Sequence, residues 1–426
     1  MKTRTIRGGI SFSIPKVNSP IEQMSVPARV VIPLKQHQGP PCDVVVKKGQ
    51  EVKIGEPLAE CEDERSAPLF ATCSGTVTEI SRTFPDIRGG YIPAVTIESD
   101  GKEEWVTPAR AKSKDLFKTV QLLGIVDGGV DALPLSTKLR RARDKHVETL
   151  VINGIDVEPG VSVRHKLIVE KKEALKEGVE LLKNTLGVTT AYVAIEKTFD
   201  QAQSQLPETL SEVAEIAALK SKYPQGLDKF VVTAVVGKEV PSPFGVPEDV
   251  GVCVIGAETA IAVAEATKTK RPPIDQVITV YGAVEKLGNL QVRIGTPVRE
   301  VLEYRGGTDD IGKVIVGGPM MGLAQYSLDI PVTREMTALY IQKESDVFTT
   351  SNQKCINCGS CIMVCPMGLL PNITASLCEV GMFDEAERYH LSYCIECGCC
   401  TVVCIGRRPL VHWRQYGKSQ LAREEQ

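Results

Sequence analysis

Eight of the fourteen cysteines fall into two copies of one spacing, Cys355-x2-Cys358-x2-Cys361-x3-Cys365, followed by Pro366, and Cys394-x2-Cys397-x2-Cys400-x3-Cys404. Three thiolates at i, i+3 and i+6 in one tight loop reach three irons of a single cube, while the fourth, at the start of a helix, points away to a second cube. The pattern predicts two [4Fe–4S] clusters and one-electron chemistry with crossed ligation. Cys355, Cys358, Cys361 and Cys404 would hold cluster 1; Cys394, Cys397, Cys400 and Cys365 would hold cluster 2. Zinc sites also use C-x2-C pairs, but they have no use for a third cysteine at i+6 or a fourth beyond it. A disulfide framework suits short secreted scaffolds, whereas this chain runs to 426 residues and opens with MKTRTIRGG, which does not read as a signal peptide. Cys42, Cys61, Cys73, Cys253, Cys378 and Cys399 are read as non-ligands, Cys399 as a buried neighbour of Cys400. Ile405 replaces the proline of the first copy, which should loosen the exit from the loop without removing a ligand.

Such loops need a scaffold, and composition bounds it. With 42% hydrophobic and 24% charged residues, the chain should form two to four globular domains. Acidic residues number 53 against 50 basic, which argues against nucleic acid as a partner, since duplex binders carry a basic excess. No apolar run approaches the roughly twenty residues of a spanning helix, so the chain is expected to be soluble or peripheral to a membrane.

The pattern of elements gives a multidomain α/β reading with four units. Residues 1–112 alternate Val-rich strands with Gly and Pro turns (ARVVIPL, KKGQEVKIGEPL, SAPLFATCSGTV), the rhythm of a barrel-sandwich hybrid. Biotinyl and lipoyl carriers share that rhythm but place a modified lysine in a hairpin, where this chain has Glu60, Cys61, Glu62, Asp63, Glu64 and Arg65; a docking role is expected instead. His37 is read as a surface or turn histidine. Residues 113–268 mix strands at Thr149–Asn153, Thr190–Ile195 and Phe230–Val236 with helices at Glu170–Leu186 and Ala257–Thr267, implying a mostly parallel sheet with ligands at the strand carboxyl ends. Residues 269–332 read as a small β-grasp, ligand-binding-like unit with a helix capped by Thr296. Residues 333–426 form a helical, two-[4Fe–4S], ferredoxin-like domain ending in the basic stretch GRRPLVHWRQYGK.

Taken in order, the RGG opening, PLKQHQGPP, KKGQEVKIGEPL, INGIDVEP, YPQG, GAVEKLGNLQVRIGTPVRE, IVGGPMMG, CINCGSCIMVCPMGLLPN and CIECGCCTVVC resemble the RnfC family of the Rnf electron-transport complex over almost the full length. The resemblance implies a peripheral subunit on the cytoplasmic face of the cell membrane, partnered by the other subunits of an ion-translocating oxidoreductase that moves Na+ or H+. It also implies FMN and exchange of electrons with NAD.

One run departs from that family. Its flavin-binding members carry a loop like GLGGAGFP, whose glycines let backbone N–H groups approach phosphate. Here the run is Asp127-Gly128-Gly129-Val130-Asp131-Ala132-Leu133-Pro134. Carboxylates repel phosphate, and a Cβ where only glycine fits holds the backbone away. What remains of a flavin site is Gly128, Gly129, Lys138, Asp156 and Glu158. Lys138 could meet a phosphate, although KLRRARDK also reads as a solvated basic helix face, the preferred reading. Asp156 serves either the flavin or as a cap on the next helix. FMN binding and NADH dehydrogenation by this chain are therefore not expected; electrons would enter or leave through a protein partner such as a soluble ferredoxin or a membrane-bound or cytochrome-linked subunit. The alternatives are an NADH-dependent flavin and iron–sulfur reductase, either an ordinary NAD-linked Rnf subunit or one of the cobalamin-reductase kind, and a structural adaptor whose metals only hold the fold.

Overall fold

The computed structural model describes residues 5–63, 65–106, 115–128, 132–307, 310–351 and 353–424. Toward the N-terminus, a pair of small antiparallel sheets face each other. One runs in the order Arg29–Pro33, Tyr91–Ser99, Gly75–Pro85 and Glu51–Val52, and the other joins Asp43–Val44, Pro57–Glu60 and Leu69–Phe70. Their inward residues, among them Val30, Ile32, Leu58, Leu69, Val77, Val95 and Ile97, form one core, as a barrel-sandwich hybrid requires. His37 is not at the surface. It is fully buried in its turn, with Nε2 3.3 Å from the Pro40 carbonyl oxygen, and burial pushes its imidazole down to about 4.

The next unit is built on a four-stranded parallel sheet ordered Glu215–Leu219, Thr190–Glu196, Thr149–Asn153, Val252–Gly256. Its strands are covered on both faces, so they read as near-continuous apolar runs. Leu150, Ile152, Val193, Ile195, Cys253 and Ile255 pack under the helices Leu135–Asp144, Lys172–Leu186 and Ala257–Thr269, while Val151, Ala194, Val252 and Val254 meet Val231, Val232 and Val235 on the other face. Those last residues belong to a helix, Asp228–Val236, not to the strand expected at Phe230–Val236. The chain leaves Thr149–Asn153 toward one edge and returns on its other side as Val252–Gly256, so the strand order reverses between the ends of these two strands. Ligands of open α/β sheets bind at such a point.

The third unit is a six-stranded mixed sheet, ordered Ile21–Gln23, Gly288–Arg293, Asp275–Gly282, Ala338–Lys343, Ile311–Val316, Leu323–Ala324. Two of its strands lie outside residues 269–332. Ile21–Gln23 comes from the N-terminal stretch, and Ala338–Lys343 sits in the middle of the sheet. The helix Val298–Tyr304 packs on this sheet through Val298, Val301 and Leu302, with Pro297 at its cap position. Thr296 does not cap it; its hydroxyl donates to the Arg293 carbonyl at 2.7 Å. Short helices then surround the cysteine loops, and the basic stretch becomes the helix Leu410–Glu424, which buries Arg414. Among the described residues no helix is long and apolar enough to cross a membrane.

Candidate metal centres and the neighbouring α/β site

Both cysteine motifs fold into the same loop. Asn357 and Glu396 take left-handed φ of 53° and 58°, Gly359 and Gly398 follow at 76° and 75°, and one-turn helices begin at Ser360 and Cys399. The exits match as well: Gly368 N–H donates to the Cys365 carbonyl at 3.1 Å and Arg407 N–H to the Cys404 carbonyl at 2.9 Å, so Ile405 keeps the turn that Pro366 begins. The backbone N–H groups of Asn357, Leu369 and Glu396 point at the sulfurs of Cys355, Cys365 and Cys394, each at 3.4 Å. Such N–H···S bonds are among the levers that set a cluster's potential.

The loops enclose two cavities. One is lined by Cys355, Cys358, Cys361 and Cys404, the other by Cys365, Cys394, Cys397 and Cys400 together with Cys399. Among the described residues no three His, Cys, Asp or Glu side chains converge as a single-ion site. Four thiols spread around a cavity suit the corners of a cube, whereas tetrahedral zinc draws its sulfurs to about 2.3 Å from one point. A further fit lies in Arg414. It is 2% exposed, lines the second cavity, and its Nε and Nη2 find no hydrogen-bond partner among the described residues. A buried cation without a partner is costly, and an anionic, thiolate-held cube supplies the missing charge. The two cavities also differ in exposure. Cys394, Cys397, Cys399 and Cys400 are all buried, while Cys358 is exposed at the first cavity.

The second cavity is tied to the rest of the molecule by residues that the cysteine pattern does not reveal. Tyr223 donates its hydroxyl to the Cys397 carbonyl at 2.6 Å. Gly8 and Gly9 of the RGG opening pass so close that a Cβ would lie 2.6 Å from the Cys365 carbonyl oxygen and 2.4 Å from that of Tyr223. Glu158 accepts from the N–H groups of Met320 and Met321, at 2.9 and 3.0 Å, holding the GGPMMG loop beside Gly398, and burial pushes its carboxyl up to about 7.

At the strand-reversal point the chain fills its own site. Lys138 is buried rather than on a solvated face, and its ammonium donates to Asp127 Oδ2 at 2.6 Å and Asp228 Oδ2 at 3.2 Å. Burial alone would lower Lys138, yet these carboxylates hold it well above its usual range; burial alone would raise Asp127, yet Lys138 holds it below. Arg141 and Arg143 of the same helix do face solvent. Gly256, at the start of the thirteen-residue helix Ala257–Thr269, gives its N–H to Asp127 Oδ1 at 3.0 Å. Glu258, in the first turn of that helix, is clamped by Arg164 through two bonds of 2.8 and 2.7 Å. Its carboxylate lies where a Cβ on Gly256 would be 2.5 Å away and one on Gly128 3.2 Å away. Helix N-termini attract anions; this one is occupied by the chain's own carboxylate.

The five residues expected to mark a flavin site therefore separate. Gly128 and Lys138 stand at the reversal point, and Gly129, Val130 and Asp131 lie outside the described residues. Ala132 keeps a glycine-like φ of 37°. Asp156 turns away to cap the helix Val163–Glu170, accepting from Arg164 N–H at 2.9 Å and His165 N–H at 3.1 Å, and it lies 2.7 Å from His165 Nδ1. Glu158 is engaged with the GGPMMG loop. Among the described residues an FMN phosphate finds no open place here: Asp127 and Asp228 pair with Lys138, Asp127 also takes the Gly256 N–H, and the Glu258 carboxylate, held by Arg164, lies beside Gly128 and Gly256. A cavity of about 520 Å³ does open beyond the strand ends, between Phe12, Lys16, His165, Glu196, Phe199 and Tyr223.

A barrel-sandwich hybrid, an α/β unit with its reversal point, a β-grasp sheet and a two-centre cysteine domain together define an iron–sulfur electron-transfer protein. Family models match each unit: the RnfC barrel sandwich hybrid domain over residues 4–102, the Nuo51 FMN-binding domain over 120–265, the SLBB domain over 277–324 and the 4Fe-4S dicluster domain over 349–405. The chain is 35% identical to the C subunit of the proton-translocating ferredoxin:NAD(+) oxidoreductase complex of Clostridium ljungdahlii, covering 98% of this chain and 94% of that one. It is 33% identical to the Na(+)-translocating counterpart of Acetobacterium woodii, over 91% and 90%. The C subunit of the ion-translocating oxidoreductase complex of Rhodobacter capsulatus is 30% identical, over 100% and 85%. The chain belongs to this family, the RnfC proteins of the Rnf complexes. Its fold is also similar to a chain of an NAD+-reducing [NiFe]-hydrogenase in the H2-reduced state, with a TM-score of 0.53 at 17% identity over 74% of this chain and 63% of that one.

Proposed function

We propose that this chain is the peripheral electron-transfer subunit of an Rnf-type complex, carrying single electrons between a soluble ferredoxin-like carrier and the membrane arm on the cytoplasmic face. The complex would couple that transfer to Na+ or H+ translocation. The observation that carries this reading is the crossed lining of the two cavities, each holding three spaced cysteines of one motif and the fourth of the other, with Cys399 also at the wall of the second. When bound, the two [4Fe–4S] groups supply one-electron transfer. The chain supplies eight thiolates to hold them, N–H donors to the sulfurs, and the guanidinium of Arg414 to offset their charge. The exposed edge at Cys358 faces solvent, and the buried second centre lies against Tyr223 and the GGPMMG loop.

The relatives' names join ferredoxin to NAD, and the family model over residues 120–265 is that of an FMN-binding domain. That match is the observation that favours the second reading, an NADH-linked flavin reductase. The Asp127–Lys138–Asp228 and Arg164–Glu258 ion pairs weigh against it, and we assign no flavin or NADH step to this chain. We further propose that it divides near residues 112, 268 and 332, with Ala338–Lys343 reaching back into the third unit.

Crossed ligation has a direct test. Cys365→Ser should alter the paramagnetic resonance of the centre held by Cys394, Cys397 and Cys400 and leave the other intact. A change confined to the centre of the first motif would overturn the assignment.

A further inference from the structure

Two cysteines outside the motifs meet in the N-terminal barrel. Asp43–Val44 pairs antiparallel with Pro57–Glu60, Asp43 opposite Glu60 and Val44 opposite Ala59, so the next position of the register sets Cys42 opposite Cys61. Val45 N–H donates to the Leu58 carbonyl at 2.9 Å. That bond makes 45/58 a hydrogen-bonded pair. Because the two kinds of pair alternate, 44/59 and 42/61 are non-hydrogen-bonded, the kind whose Cα atoms approach to about 4.5 Å. Disulfides span Cα separations of about 4.4–6.8 Å. The two thiols are close enough to perturb each other's ionisation, and the Cys42 thiol donates to the Ala67 carbonyl at 3.3 Å.

The pair is asymmetric in access and in charge. Cys42 is buried and Cys61 is half-buried. Arg334 stands beside both sulfurs; its Nη1 and Nη2 donate to the carbonyls of Gly124 and Pro68, at 2.7 and 3.2 Å, and its Nε has no partner among the described residues. The neighbouring Cys42 thiol, and after it the Arg334 charge, lower the Cys61 thiol on balance, while burial, Asp63 and Glu60 oppose them; Cys61 and burial raise Cys42. Asp43 acts against ionisation of Cys42, and Asp63 is itself tied to Arg65.

We propose that Cys42 and Cys61 form a dithiol–disulfide couple that exchanges two electrons with a low-molecular-weight disulfide. Cys61 thiolate, the accessible and more acidic partner, attacks one sulfur of the external disulfide, forming a mixed disulfide and releasing one thiolate. Cys42 then attacks Cys61 Sγ, the Cα approach allowing closure, and releases the second thiolate. The thiol protons of the pair leave with the two released thiolates, so the protein is oxidised by two electrons and the external disulfide becomes two thiols. Disulfides in reducing compartments are typically transient, catalytic or sensing. This couple would add a two-electron centre to a protein otherwise built for one-electron steps.

The test uses the full-length, cluster-loaded protein under anaerobic conditions, equilibrated across ratios of reduced to oxidised glutathione, alkylated and digested for mass analysis. The expected result is a cross-linked pair of peptides bearing Cys42 and Cys61, lighter by two hydrogens, with the visible absorption of the clusters unchanged. Cys42→Ser should leave Cys61 carrying one glutathione, Cys61→Ser should leave Cys42 unmodified, and Arg334→Gln should slow alkylation of Cys61 several-fold at neutral pH. The proposal is overturned if Cys61 in the wild-type protein stays a free thiol at the most oxidising ratio, or if it pairs with any cysteine other than Cys42.

Discussion

Replacing Asp127 by Asn isolates the charge that closes the strand-reversal site. The amide keeps the shape of the carboxylate and can still accept from Gly256 N–H, so the change removes little except the partner of Lys138 at 2.6 Å. Breaking a buried pair from one side costs about 3–5 kcal/mol. Asp228 remains at 3.2 Å and is about a third exposed, so it retains some of the compensation. We expect a loss of about 2–4 kcal/mol. The double variant Asp127→Asn with Lys138→Met removes both charges and should recover to within about 1 kcal/mol of wild type, because a neutral replacement of a buried pair is close to isoenergetic. Hydrogen exchange resolves the unit by itself in a multidomain chain; the peptides to follow cover Val252–Gly256 and Leu135–Asp144. The pH window follows from the two shifts. Asp127 is lowered, so its contribution is present above the ordinary carboxylate range and lost as pH falls through its folded value. Lys138 is raised, so its contribution is present below the ordinary lysine value and lost only as pH rises beyond it. Between about pH 5 and 10 the effect should be flat. Unchanged exchange in Asp127→Asn, or a double variant as unstable as the single one, would show that this pair does not hold the site closed.

Three further outcomes can be checked. His37 is buried and lowered to about 4, so below its unfolded value near 6.5 the unfolded chain takes up a proton that the native barrel refuses; stability of the barrel should fall by up to about 3 kcal/mol from pH 6.5 to 4, and His37→Gln should remove that slope in exchange of its strands. Gly178 brings helix Lys172–Leu186 so near Ala257–Thr269 that an added Cβ would lie 2.0 Å from the Ala260 carbonyl oxygen, so Gly178→Ala should cost about 2–3 kcal/mol in urea unfolding of the α/β unit. Arg414→Met removes a cation beside the second centre, which makes electron gain harder there; an interaction of about 1–4 kcal/mol corresponds to a potential lowered by roughly 40–170 mV for one electron, read by redox titration, and an unchanged or raised potential would deny Arg414 any charge-balancing role.

The features of the architecture set by period and punctuation are legible in the residues. The cysteine spacing leads to crossed sets because three thiols within seven residues can serve only one cube, and the thiols that line the two cavities are grouped in the same way; the Val-rich strands separated by helices specify the parallel sheet. Phe230–Val236 reads as a strand because its β-branched run carries no helical period. The helix there is buried on nearly every side, and the hint is Gly237, whose left-handed φ of 81° ends it. Lys138 looks solvated beside Arg140, Arg141 and Arg143, since local charge density cannot show a carboxylate 11 residues back in the chain turning to meet it. The capping role of Asp156 and the engagement of Glu158 with Met320 and Met321 depend on contacts across 8 to 163 residues, which sequence spacing does not encode. Arg164 and Glu258 escape a reading of the sequence for the same reason, although an acidic residue in a first helical turn just after a glycine-ended strand is a usable signal.

Whether this chain is a two-cluster electron carrier without a flavin is decided most simply by the cofactor content and reductant response of the full chain purified without oxygen. We expect about eight irons and eight sulfides per chain with no stoichiometric FMN, and cluster absorption that bleaches with a reduced low-potential ferredoxin or dithionite but stays oxidised with NADH. Half that iron, stoichiometric zinc, or one FMN per chain with bleaching by NADH at catalytic rates would contradict it.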